Sequence, residues 1–117
     1  MVRRMPKQLE DVGRVFHALA DPTRRQVVER LGSGPATTLE LAEPFDMALP
    51  SFTQHLGVLA DAGLVTSTKK GRVRTYAIVP TSLDQVDDWL SDQRRLWERR
   101  LDQFDDLVTR LHKENHQ

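Results

Sequence analysis

Cysteine is absent from this chain of 117 residues, which removes disulfides and thiolate metal ligands from any account of its stability or chemistry. No stretch approaches the ~20 consecutive apolar residues that a membrane-spanning helix requires, and no apolar segment follows the N-terminal arginines as a secretory leader would need. A membrane partner is therefore not expected, and a cytoplasmic location fits. A G-x-S-x-G turn and a glycine-rich phosphate cradle are also missing. Ser51 and His55 stand four residues apart, as a nucleophile and its base would on one helix face. Nothing beside them supplies an orienting acid or an oxyanion hole, so neither an enzyme nor a bound cofactor is expected. With 38% apolar content the chain can bury one modest core. The expected organisation is a flexible arm over residues 1–7, a single domain over 8–112 and a frayed end over 113–117.

Net charge is zero, which at first sight speaks against a polyanionic partner. The charges are unevenly placed, however. Between residues 47 and 79 the bases Lys69, Lys70, Arg72 and Arg74 face the single acid Asp61, whereas residues 83–117 hold nine acids and six bases. Positive charge is thus concentrated in one central segment.

Apolar spacing predicts the elements around it. Leu9, Val12, Val15, Phe16 and Leu19 recur at steps of three and four, which predicts a first helix over 8–20. Asp21 and Pro22 then supply an N-cap and a first helical residue for a second helix that turns Val27, Val28 and Leu31 inward and ends at Gly32. Thr38 is positioned to cap a short third helix, cut off early by Pro44. Pro50 opens a fourth, with Phe52, Leu56 and Leu59 on one face and Gly63 as its stop. Two strands over 65–69 and 73–79 flank Lys70-Gly71-Arg72, where glycine supplies the positive φ of a tight hairpin. A last helix from about residue 83 to 112 carries Val86, Leu90, Trp97, Leu101, Phe104, Val108 and Leu111 along one stripe. About 45 Å of such helix exceeds what so small a body can cover, so a homodimer is expected, held by Val12, Phe16, Trp97, Leu101, Phe104 and Val108. The fold class is mainly α with a β wing: five helices and a two-stranded hairpin inserted before the last of them.

A helix, a tight turn, a second helix and a basic ribbon is the order that lays a helix in the major groove of DNA with a wing beside it. Leu49, Ser51, Thr53, Gln54 and His55 then face the bases. Glutamine can bond adenine N6 and N7 together, serine and threonine can reach bases or phosphates, and leucine can meet a thymine methyl. Lys69, Lys70, Arg72 and Arg74 form the wing, which lies along the backbone or dips into the minor groove. Arg24 either adds a phosphate contact or pairs with Glu29 or with acids of the last helix. Arg3, Arg4 and Lys7 either form a short groove-seeking arm or belong to a frayed tail. His112 and His116 share a helix face with Asp105, a spacing open to zinc or nickel, but no second ligand cluster accompanies them and no metal is expected.

The segments FHALADPTRRQVVERL, LAEPFDMALPSFTQHLGVLADAGLV, GRVRTYAI and RRLWERRLDQF together resemble the ArsR-type family of dimeric winged helix-turn-helix transcriptional repressors. The resemblance implies a homodimer built from the first and last helices, a reading helix over 50–62 and repression from a pseudo-palindromic operator in double-stranded DNA. It also implies differences. Metal-sensing members carry Cys-x-Cys at the start of the third helix, where this chain has Thr37 and Leu39. Ala48 stands where the family usually caps the reading helix with serine, leaving Asp46 as a substitute. Gly57 replaces a frequent base. Two other readings stay open: a dimeric protein-interaction module working through the acidic last helix, and a metal-responsive repressor using the C-terminal histidines. The operator sequence and any effector are left unassigned.

Overall fold

The computed structural model describes residues 7–115. Along the chain run α1 (Lys7–Leu19), α2 (Pro22–Leu31), β1 (Ala36–Thr37), α3 (Thr38–Ala42), α4 (Leu49–Asp61), β2 (Val65–Lys70), β3 (Val73–Ile78), a 3-10 turn (Pro80–Leu83) and α5 (Asp84–Asn115). They fall into two units, residues 1–85 and residues 86–117.

Within the first unit, local chemistry sets most boundaries. Asp21 is extended and its carboxylate accepts the Arg24 amide at 3.1 Å, while Pro22 fills the first turn of α2, where no N–H is needed. Thr37, not Thr38, caps α3. Its hydroxyl accepts the Glu40 amide and the Glu40 carboxylate accepts the Thr37 amide, a reciprocal pair that needs the acid three residues beyond the cap. α3 ends at Ala42, with Glu43 still helical in backbone as its C-cap, directly ahead of Pro44, which has no N–H to continue the ladder. Gly63, at φ 77°, ends α4 in a Schellman motif: its amide bonds to Ala60 and the next amide, of Leu64, to Leu59 at 3.1 Å.

The hairpin pairs Val65 with Ile78 through Lys70 with Val73, leaving a two-residue turn whose first member, Gly71, has φ 63°. The sheet is larger than the two strands expected. β1 joins the far edge of β3, with Ala36 opposite Tyr76 and Thr37 opposite Thr75, giving the order β1-β3-β2. Two residues are too few for any alternation to register, and their partner lies about 40 positions away, so sequence spacing had no means of showing this strand.

The core gathers Val12, Val15 and Ala18 of α1, Val27 and Leu31 of α2, Leu41 of α3, and Phe52, Leu56 and Leu59 of α4 against Leu64, Val65 and Tyr76. Each large side chain so enclosed contributes about 1.5–3 kcal/mol relative to exposure. Phe45 packs on Phe52 with ring centroids 5.4 Å apart, which anchors the turn ahead of α4. No buried side-chain polar atom among the described residues lacks a hydrogen-bond partner.

In the second unit, α5 continues to Asn115, past the expected end near residue 112. Trp97, Leu101, Phe104, Leu107, Val108 and Leu111 along it are all exposed.

Candidate nucleic-acid interface

α4 is held by one face and offers the other. Phe52, Leu56 and Leu59 are fully enclosed, whereas Leu49, Ser51, Thr53 and Gln54 are exposed, the division that 3.6-residue periodicity imposes on a helix pressed against a core. The Thr53 hydroxyl donates to the Pro50 carbonyl at 2.9 Å, so toward an outside partner it can only accept. Asp46 does not cap this helix. Ala48 occupies the N-cap position without a side-chain hydrogen bond, and Pro50 removes one of the amides that would need one. Gly57 lies mid-helix on the exposed side, and a methyl group added there would meet nothing within 4 Å.

The wing stands next to the start of this helix. Leu49 shares the lining of a cavity of about 460 Å³ with Leu39 of α3 and with Arg72, Val73 and Arg74 of the hairpin. The first residue of the reading helix and two wing arginines therefore border one concavity. Lys69, Lys70, Arg72 and Arg74 are all exposed, and Arg74 is braced by a 2.8 Å bond to the Ser67 hydroxyl across the hairpin. Leu39, 71% exposed, is an apolar residue of α3 at the surface.

Arg24 and His55 meet each other, a pairing not among those expected for either. Arg24 donates from Nε to the Ala18 carbonyl at 2.7 Å, from Nη2 to that of His17 at 3.1 Å, and from Nη1 to His55 Nδ1 at 3.0 Å. Arg25 adds a 2.7 Å bond to the Leu19 carbonyl. Two adjacent arginines thus bond the carbonyls of His17, Ala18 and Leu19 at the end of α1, the first of which also accepts the Ala20 amide at 3.3 Å, with positive charge at the negative end of that helix. The expected pairing of Arg24 with Glu29 gives way to these contacts, which take up Nε, Nη1 and Nη2 of its guanidinium. Asp21 Oδ2 lies 3.8 Å from His55 Nδ1. Burial raises the Asp21 carboxyl, but the Arg24 amide, the His55 ring when it carries its proton, and the Arg24 charge outweigh it and hold the group below its ordinary value.

The residues expected at a dimer contact also divide. Val12 is 3% exposed and belongs to the core of its own chain, because the apolar stripe of α1 is wide and its spacing does not say which edge turns inward. Phe16, Trp97, Leu101, Phe104 and Val108 keep substantial exposed surface. Among the described residues no three histidine or carboxylate side chains come together as metal ligands would. Arg3, Arg4 and His116 lie outside the described residues; Lys7 begins α1. No helix among the described residues is long and apolar enough to cross a membrane.

Comparison with known proteins gives this geometry a setting. A family model described as a helix-turn-helix domain matches residues 19–68, from the end of α1 into β2. The HTH-type transcriptional regulator Rv2034 of Mycobacterium tuberculosis is 40% identical over 81% of this chain and 86% of its own length. The transcriptional repressor SdpR of Bacillus subtilis is 34% identical over 65% of this chain and 84% of its own. Among solved structures, a crystal structure of an ArsR family transcriptional regulator superposes with a TM-score of 0.73 at 52% identity, covering 83% of this chain and 97% of the other.

Proposed function

The chain belongs to the ArsR family of helix-turn-helix transcriptional regulators, and from that premise we propose that it is a cytoplasmic repressor that binds a pseudo-palindromic operator as a homodimer. DNA-binding regulation, not enzymatic catalysis, is the work of this family. In the proposed complex each subunit places α4 in a major groove, and two such helices read half-sites one helical turn apart, ~34–36 Å. Leu49, Ser51, Thr53 and Gln54 face the base edges, and Lys69, Lys70, Arg72 and Arg74 follow the phosphates. The observation that carries the reading is the concavity bordered by Leu49, Arg72 and Arg74, which sets the start of α4 and the basic hairpin on one surface.

Homodimerisation draws support from α5, whose 32 residues extend about 48 Å and leave Trp97, Leu101 and Phe104 more than 60% exposed. Regulation without metal draws support from Thr37. It stands where the family's metal-sensing members have their first cysteine, and here its hydroxyl is committed to the α3 cap.

Titration of promoter and random duplexes over a range of salt tests the proposal. Specific binding should exceed random binding by at least about a thousandfold. Gln54→Ala should narrow that ratio by weakening the preferred sequence while leaving random duplex binding in place. Equal affinity of the wild type for both duplexes would remove the operator. Operator affinity that shifts with added zinc would return the metal-responsive reading.

A further inference from the structure

Where α1 ends, α2 begins and α4 passes, Asp21, Arg24 and His55 close a small polar cluster. Arginine carries donors only and keeps its charge at every physiological pH. In the 3.0 Å contact between Arg24 Nη1 and His55 Nδ1 the imidazole must therefore be the acceptor. This geometry belongs to a neutral ring whose proton sits on Nε2. The remaining arms of Arg24 hold the carbonyls of Ala18 and His17, so one guanidinium spans the last turn of α1 and a side chain of α4 that lies 31 positions along the sequence.

We propose that Arg24 is a positioning residue for operator binding, not a phosphate contact, and that it sets α4 relative to the end of α1 through the unprotonated Nδ1 of His55. The inference rests on the operator reading above. Protonating His55 replaces the acceptor by a second donor, which ends the bond to Arg24 and turns Nδ1–H toward the Asp21 carboxylate 3.8 Å away. The charged groups at this ring are Arg24 and Asp21, both from the start of α2. His17 of α1 gives its carbonyl to Arg24, and it lines a cavity between α1 and α4 with Asp61, the other titratable residue of α4. The link is intact above the pH at which the ring takes up its proton and is lost below it.

The test compares operator affinity of the wild type, Arg24→Lys, Arg24→Ala and His55→Gln over a range of salt, and then over pH 5.5–8 at fixed ionic strength, where imidazoles titrate. Lysine keeps the charge but cannot reach three acceptors. A positioning role therefore gives Arg24→Lys and Arg24→Ala the same loss, about tenfold, the scale of one charged hydrogen bond, with the salt slope unchanged. A phosphate contact gives the opposite result: lysine rescues, alanine lowers the slope by about 0.9, and the inference is overturned. Wild-type affinity should fall as pH drops, while His55→Gln, whose amide oxygen accepts at every pH, should stay flat. A wild type as flat as His55→Gln overturns the inference too. Ring nitrogen shifts of His55 in the free protein give a further readout, independent of DNA and of whether the Arg24 variants fold. An Nε2–H tautomer at pH 8 supports the link and an Nδ1–H tautomer overturns it. A wild type without sequence preference removes the operator reading, and the ring spectrum then decides on the link alone.

Discussion

At the scale of single residues, side chains of similar charge do different work. Arg72 borders the concavity beside α4 with its guanidinium exposed, and Arg74 is tied to Ser67 across the hairpin. Replacing Arg72 with alanine should weaken specific and random duplexes alike and flatten the salt slope by up to ~1 unit. An unchanged slope in such titrations would take Arg72 off the phosphate list. Asp21 serves α2 twice, as cap and as charge. Asp21→Ala should cost about 1 kcal/mol in denaturant unfolding at neutral pH, and Asp21→Asn less, since asparagine caps nearly as well. The carboxyl of Asp21 lies below its ordinary 3.8 in the folded chain. Its charge therefore adds stability above that value, lost as pH falls through the lower folded one. The advantage of wild type over Asp21→Asn in thermal melts should be present at pH 6 and gone near pH 2. Residues whose role is local were legible in the sequence: Asp21 and Pro22 announce a helix start, and Gly71 a hairpin. Arg24 and His55 were not, because no local pattern joined them until the fold closed the 31 residues between them.

At the scale of elements, the two glycines of the α4 region should respond in opposite directions. Gly63 holds φ 77° in the Schellman turn, so Gly63→Ala should lower stability by about 1 kcal/mol. Gly57 sits inside the helix with open space around it, so Gly57→Ala should raise stability by about 0.5–1 kcal/mol. Urea midpoints measure both, and a common sign would contradict the account of α4. The helices were legible because apolar side chains recur at three and four residues, and Phe52, Leu56 and Leu59 are enclosed as that spacing predicts. Periodicity was less informative at α1. It marked both Val12 and Phe16 as apolar face, yet one is enclosed by its own chain and the other is 41% exposed. A wide stripe records how much surface avoids water, not which neighbour removes it. β1 escaped notice because pairing, not composition, makes two residues a strand.

At the scale of the whole molecule, the proposed assembly turns on α5. Leu101 and Phe104 are each about 60% exposed on a helix of 32 residues. A chain carrying both Leu101→Glu and Phe104→Glu should keep its helical content and sediment as single subunits. Losing the second tethered contact should reduce operator affinity by about 100-fold or more, and the footprint should shrink to one half-site. A double variant that still sediments as a dimer would place the contact elsewhere. The charge distribution was legible from the start: bases gather in the hairpin and acids in the last helix, despite a net charge of zero.

The Thr37–Glu40 capping box bears on how such a regulator could be given a new input. A thiol installed at position 37 would take away the hydroxyl that starts α3, and Leu39 would also have to change before a pair of sulfurs faced one ion. Sensing and helix initiation compete for one side chain there. Anyone converting this protein into a metal biosensor would first have to supply α3 with a different beginning.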